Sequence, residues 1–451
     1  NRTGNYSIRM GDVSNNNTAL SITKNYTAVT HDISGTYSDS YTHYPLLGDL
    51  HWTESGAGHT TTSYTQLGLD ISVELTNGMC NLDASGTRLL TGSHSGINVY
   101  EYSHFTWTQL GSTIGLGSSN NDLRRAVLSG NGEYVATYAS PSDYNVYVYK
   151  YNSSTDTWDS YGTLGNGNGT RLDIAYDGQT IIVGEEYYNP GGLSNSGRAT
   201  VYEYTGDGTT HSWTQVGGDI VLDAEGTEYN GWDVAINKTG NIIAVGAIGF
   251  DDGVLNRGRI QVFKYKSGAD ASQYTPSYGG LYSYDSHDDW EPLGTDIVGI
   301  YRTSDQLGVA IQLSDDGYTF VAGATGGGSI QRYIIVRRYS EELGDWYTYG
   351  YSRAENDGEV PGFAEFARYL EISGDGEMVI AGSIGNGNGM VRQYKVLNGK
   401  LEPVGPAIAG VSGSYDDLGY VSMSSDGKIV AMGSSQQDNV RVFQLNDVQQ
   451  T

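Results

Sequence analysis

Three aspartates, Asp122, Asp305 and Asp416, each precede a short apolar run by a similar interval. On a radially repeated fold that interval brings their carboxylates to one mouth of a central channel, where oxygen ligands could hold a hard cation such as calcium. A solvated acidic rim is the other outcome of the same spacing. His43, His51 and His59 fall eight apart in a loop-like stretch, but without a cysteine or an outer partner this spacing is no metal signature. Glycoside hydrolysis needs two carboxylates held at a defined separation. With 52 Asp plus Glu in the chain, candidate pairs are too common to carry meaning. The chain shows no serine in a nucleophile elbow, no phosphate-cradling glycine loop followed by Lys-Ser/Thr, and no dinucleotide fingerprint. The expectation is a protein that is not an enzyme and holds no catalytic residue, cofactor or resident metal.

The better-marked chemistry is modification. Asn-X-Ser/Thr acceptors for N-linked glycans begin at Asn1, Asn5, Asn16, Asn25, Asn152, Asn168 and Asn237. Four of these lie in the first 25 residues, where glycans would face solvent. In the same segment Leu20, Ile22, Tyr26 and Ala28 share one parity while Ser21, Thr23, Asn25 and Thr27 share the other, the pattern of a half-buried strand. Residues 1–60 therefore read as an extended, glycan-rich strap that something must hold. The chain begins at Asn1 without a methionine or an apolar leader, as a processed secreted protein would, so the expected location is extracellular.

The elements that position these groups are strands. Gly 64 and Tyr 37 against Phe 7 and Pro 8 describe a turn-dense, all-β chain whose aromatic groups keep a polar tip. No apolar run approaches the length of a membrane-spanning helix. A formal net charge of −27 repels phosphate backbones and anionic lipid, which argues against nucleic acid and membrane surfaces as partners. The single cysteine, Cys80, excludes an intrachain disulfide.

A turn glycine recurs as Gly86, Gly132, Gly178, Gly240, Gly317, Gly376 and Gly427, by subtraction 46, 46, 62, 77, 59 and 51 residues apart. Such a period marks a repeat architecture. Each copy reads as four strands: one entering the turn, one leaving it, a third with Val-aromatic-X-Tyr, and a short fourth with an aromatic residue four before a glycine. The last signal runs Tyr64/Gly68, Trp107/Gly111, Trp158/Gly162, Trp213/Gly217, Trp290/Gly294, Trp346/Gly350 and, most weakly, Leu401/Gly405. Its first copy precedes any inner strand, and the last repeat ends on its third strand near Val442. Pairing the two closes a circle, so 61–451 is expected to be a seven-bladed β-propeller whose last blade joins both ends. Insertions 185–198 and 247–259 should share one face, with the tyrosine-rich connection 266–289, including Tyr278 and Tyr282, on the other.

Copies such as Leu307-Gly308-Val309-Ala310-Ile311-Gln312-Leu313-Ser314-Asp315-Asp316-Gly317 with Val321-Ala322-Gly323-Ala324, then Trp346 and Gly350, resemble the FG-GAP-type, integrin-α-like propeller repeats of secreted algal, protist and bacterial proteins. The resemblance covers about 61–451 and implies the propeller fold. The calcium loop of that family, Asp-X-Asp-X-Asp-Gly-X-X-Asp, is not matched. The expected role is structural: a subunit of an extracellular glycosylated filament. Propellers would join head to tail, with the strap, Leu20, Ile22, Tyr26, Ala28, Tyr278 and Tyr282 at the contact with a second copy. The alternative is a monomeric secreted binding propeller of lectin or adhesin type, recognising carbohydrate.

Overall fold

The computed structural model describes Gly4–Asn5, Asn25–Tyr26 and 60–449, apart from 73–74, 94–95, 116–121, 141–144, 165–170, 190–192, 223–226, 252, 254, 267–289, 302–303, 327–331, 354–366, 384–388, 410–417 and 435–437. Contacts divide the chain into two units, Asn1–Thr62 with Asp447–Thr451, and Ser63–Asn446. In the first, Gly4–Asn5 and Asn25–Tyr26 form a two-residue antiparallel ladder. Leu20, Ile22, Ala28, Tyr278 and Tyr282 lie outside the described residues.

The second unit is a seven-bladed β-propeller, as the repeat predicts. Every blade is an antiparallel meander. Blade 5, for example, runs Leu307–Leu313, Thr319–Ala324, Tyr333–Ser340 and Asp345–Arg353, paired in that order. Blade 7 closes the ring. Its sheet has Thr60–Gln66 as the outer strand beside Asn439–Gln449, then Ile429–Ser434 and Leu418–Met423. The Leu67 amide donates to the Val442 carbonyl at 2.8 Å, tying the first strand of the ring to the last.

The turn glycines of the sequence repeat stand at φ between +71° and +77°, a conformation that costs a side chain energy and glycine nothing. In six of the seven turns a polar side chain three before the glycine stabilises the turn, Asp83 among them, while blade 3 has Ala175 there. Ser314 Oγ donates to Asp316 Oδ1 at 2.7 Å and accepts the Thr319 amide at 3.0 Å. Ser129, Ser373 and Ser424 act alike. Asn237 takes this position in blade 4, where its Oδ1 accepts the amides of Asn241 and Ile242 at 3.0 and 2.9 Å. It is 2% exposed, and its amide group donates to Thr239 and Asn241. The glycan expected at Asn237 is incompatible with this buried geometry.

Second strands are mostly apolar because both faces are covered. Ile242–Ala247 is buried at every position. Apolar side chains gather into seven clusters, one at each junction between blades. Ile182, Ala199 and Val201 of blade 3, for instance, meet Val234, Ile243, Val245 and Phe263 of blade 4. The core is thus a set of radial layers, each shared by two neighbours.

The aromatic-glycine signal is a latch between blades. Trp107, Trp158, Trp213 and Trp290 donate their indole N–H to the carbonyls of Leu67, Leu110, Tyr161 and Val216 at 2.9 to 3.0 Å, and Trp346 bonds Leu293 likewise. Each acceptor immediately precedes the signal glycine of the preceding blade. Between blades 6 and 7 Tyr64 does the work instead, donating to the Val404 carbonyl at 3.2 Å and to Gln393 at 2.9 Å. Between blades 5 and 6 Leu401 replaces the indole. There the Arg338 guanidinium lies 3.6 Å over Tyr349, and both side chains bond Glu377. The Trp158→Phe substitution keeps an aromatic ring in the junction but leaves a gap where the rest of the indole stood and the Leu110 carbonyl without its donor. It should lower the unfolding free energy by roughly 1 kcal/mol for the bond and about 1 kcal/mol or more for the gap, seen as a lower denaturant midpoint at unchanged slope.

Candidate functional site: the central channel

An innermost strand is a sheet edge, so alternate amides along it point at the channel without a strand to accept them. The chain meets this demand with polar residues on the neighbouring blade. The Leu128 amide bonds Asn81 Oδ1 at 2.7 Å, Ile236 bonds Asp173 Oδ2 at 2.8 Å, Ile311 bonds Asp233 Oδ2 at 2.8 Å, and Leu82 bonds Ser422 Oγ at 3.0 Å. Asn81, Asp173 and Ser422 occupy one level, five residues before their turn glycine, and Gln312 and Glu371 complete its polar members. Arg125, Arg171 and Asp233 form the next level, seven before the glycine. A period of two along an edge strand thus stacks charges in layers.

Below these layers the chain forms a belt. Ala84 N bonds Gly130 O, Asn131 N bonds Tyr176 O, Tyr176 N bonds Lys238 O, and Lys238 N bonds Asp315 O. Asp315 N then bonds Gly374 O, Gly374 N bonds Ser425 O, and Ser425 N bonds Ala84 O, all at 2.7 to 3.2 Å. The seven bonds pass through all seven blades and return to the first. Gly374 leaves room here for the Ser425 hydroxyl and the Asp315 carboxylate, which a Cβ would approach to 2.2 Å and 2.6 Å. Belt and polar layers frame a cavity of about 150 Å³.

Charge in this cavity is costly. Burial pushes the Asp173 carboxyl up to about 7, against the pull of the Ile236 and Ile174 amides and of Arg125. Burial pushes Glu371 further, to about 8, with the Asp173 carboxylate adding to the rise and Arg125 opposing it. Asp233 is also raised by burial, although Arg125 and Arg171 favour its ionised form; the Arg171 guanidinium lies 3.7 Å from it. The arrangement can hold and release protons near neutrality, and it can bind polar groups.

The aspartates expected at a channel mouth fall elsewhere or outside description. Asp305 is fully buried and does not stand on an open rim. Its Oδ2 accepts Tyr333 Oη at 3.0 Å and the Tyr301 amide at 2.6 Å, and burial raises its carboxyl to about 6. The backbone of Asp122 begins an inner strand, and Asp416 lies outside the described residues. Among the described residues no group of three or more His, Cys, Asp or Glu is placed to hold a metal ion. Of the glycan acceptors, Asn152 is partly exposed at a strand end, where its amide bonds Asp159 at 2.8 Å. Asn5 and Asn25 pair through their backbones, and Asn1, Asn16 and Asn168 lie outside the described residues.

Sequence reading missed two arginine clamps on the second-to-third-strand loops. Arg198 bonds Glu185 and Asp219 and lies 3.8 Å over the Tyr188 ring. Arg259 repeats this in the next blade with Glu228, Asp296 and Phe250 at 4.1 Å. The signal was present: Asn195-Ser196-Gly197-Arg198 and Asn256-Arg257-Gly258-Arg259, each followed later by Gly-X-Asp. Asn195 and Asn256 both adopt positive φ, and the loops stitch blades 3, 4 and 5 together.

No protein-family model matches the chain, and no curated protein matches it. Among solved structures the chain is similar to the β-propeller domain of Cps50 (Swd1) from Myceliophteria thermophila, with a TM-score of 0.51 and 10% identity over 86% of this chain and 100% of that one. At this identity the likeness shows the fold alone.

The channel carboxyls make stability depend on pH in a defined direction. Their folded-state pKa values lie above those of the unfolded chain, so between the two the native state binds more protons. Their stabilising contribution is complete in mild acid and is lost as pH rises from about 4 to about 8, by at most about 1.4 kcal/mol per pH unit for each group. Glu371→Gln should flatten that slope and raise the melting temperature at pH 8. Thermal unfolding across this range reads both effects.

Proposed function

We propose that this chain is a structural subunit of an extracellular, glycosylated filament, in which propellers follow one another and residues 1–59 engage a neighbouring copy. The observation that carries the reading is how the ring closes. Thr60–Gln66 is already the outermost strand of blade 7, so the chain upstream is tethered to that edge, and no described strand of it belongs to a blade. The described part, Gly4–Asn5 with Asn25–Tyr26, pairs within itself. A complete ring with a long appended segment has the parts of a head-to-tail contact, which builds an open fibre when it does not close. The cluster of glycan acceptors in the same segment fits an extracellular setting.

A second reading, a binding propeller of lectin type, is favoured by one feature. Tyr187, 49% exposed, packs edge-on to Tyr229, which packs edge-on to Trp232, both at 6.2 Å. Such a row offers faces for sugar rings.

Deleting residues 1–59 should abolish fibres in negative-stain micrographs while leaving a folded ring. Fibres that persist, or a full-length chain that sediments as a monomer, would overturn the filament reading. For the second reading, the full chain is expected to bind one class of glycan on an array, and Tyr187→Ala should reduce that signal severalfold. An array without signal removes it.

A further inference from the structure

The channel cavity has polar lining that the protein itself leaves unused. Arg125 lines this cavity, and no carboxylate pairs with its guanidinium within ion-pair distance among the described residues. The Glu371 carboxyl has only the amide of Ile372. Asn81 spends its oxygen on Leu128, leaving its NH₂ group unbonded, and Gln312 extends a whole amide into the same space. One half-buried donor set and one acceptor set therefore line the same cavity of about 150 Å³, room for about five water-sized groups.

We propose that this cavity binds a small zwitterion of amino-acid type, its carboxylate received by Arg125 and its ammonium by Glu371 and Asp173. A guanidinium matches a carboxylate in shape as well as charge. Charge-assisted bonds at both ends would satisfy the Arg125 guanidinium and the Glu371 carboxyl, which no described side chain pairs, and add to the two amides that Asp173 already accepts. Five non-hydrogen atoms, as in glycine, fill the volume. A longer side chain must point along the channel, away from the belt.

The site is linked to protons. Every blade contributes to its field: Arg125 from blade 2, Arg171 and Asp173 from blade 3, Asp233 from blade 4 and Glu371 from blade 6. The remaining blades present Asn81, Gln312 and Ser422, and the Lys238–Asp315 pair stands on the belt at 2.9 Å. Glu371 is held largely protonated at neutral pH, so receiving an ammonium group expels its proton. Binding tightens as pH rises from about 6 to about 8.

The test titrates the full chain with glycine, and separately with methylammonium and with acetate, using saturation-transfer NMR at both pH values. Glycine should bind more tightly than either single-charge probe and severalfold more tightly at the higher pH. Glu371→Gln should weaken it tenfold or more without lowering the thermal midpoint, which shows that the variant folds. No transfer to glycine at millimolar concentration would mean the cavity holds water only and would overturn the proposal. So would Glu371→Gln binding glycine as the parent does, or methylammonium matching glycine, which would mark a site for cations alone. None of these readouts depends on assembly, so the proposal stands or falls apart from the filament.

Discussion

Closure of the ring is the constraint on which everything else depends. Each blade is a sheet with two apolar faces, and it buries them only if a neighbour stands on each side. Six junctions follow from chain order, but the seventh has to be made by residues far apart in sequence. Thr60–Gln66 makes it by joining the sheet of Asn439–Gln449, so that the Leu67 carbonyl just beyond it accepts the Trp107 indole of blade 1, while Tyr64 latches blade 7 to the Val404 carbonyl of blade 6. A ring open at this point would expose one apolar layer on either side of the gap. The belt through Ser425 and Ala84 crosses the blade 7 to blade 1 junction as well, so the closing blade is held at its rim and at its axis.

The same geometry explains why acids sit in the interior of this protein. Seven inner edges converge on one axis, and their free amides need acceptors that no strand can supply. Asp173 and Asp233 provide them, but a carboxylate placed there gives up hydration, and its proton affinity rises. Arg125 and Arg171 offset part of that cost. A structural need at each edge has therefore produced a polar, proton-sensitive chamber at the centre. The proposed zwitterion site arises from the surplus, from Arg125 and Glu371, which accept no amide of a neighbouring edge, and from the remaining lone pairs of Asp173.

Much of the fold was legible because its signals are local. Turn glycines such as Gly317 need only their own φ, and the unbroken apolar run 242–247 needs only two covered faces. The Trp107/Gly111 spacing was readable as a motif, yet its meaning was not. Trp107 bonds the blade before it, and the residue beside Gly111 accepts from the blade after it. A motif whose two halves serve different partners cannot be decoded within one repeat. Asp305 fails as a rim residue for the same kind of reason: its interval to the inner strand is regular, but Tyr333 and the Tyr301 backbone enclose it. Asn237 satisfies a glycan acceptor pattern, while its position three before the turn glycine commits its side chain to the hairpin.

The sequence alone determined the strand content, the repeat number and the pairing of the two ends. These rest on backbone conformation and on alternation along a strand, which adjacent residues carry between them. Only the tertiary structure decided which side chains share the axis. Arg125, Asp173, Asp233 and Glu371 stand up to 246 residues apart by subtraction (371 − 125), and each looks like an ordinary polar residue in its own strand. They become one electrostatic unit because a sevenfold arrangement brings their strand edges to a common line, and Coulomb energy depends on that distance rather than on order along the chain.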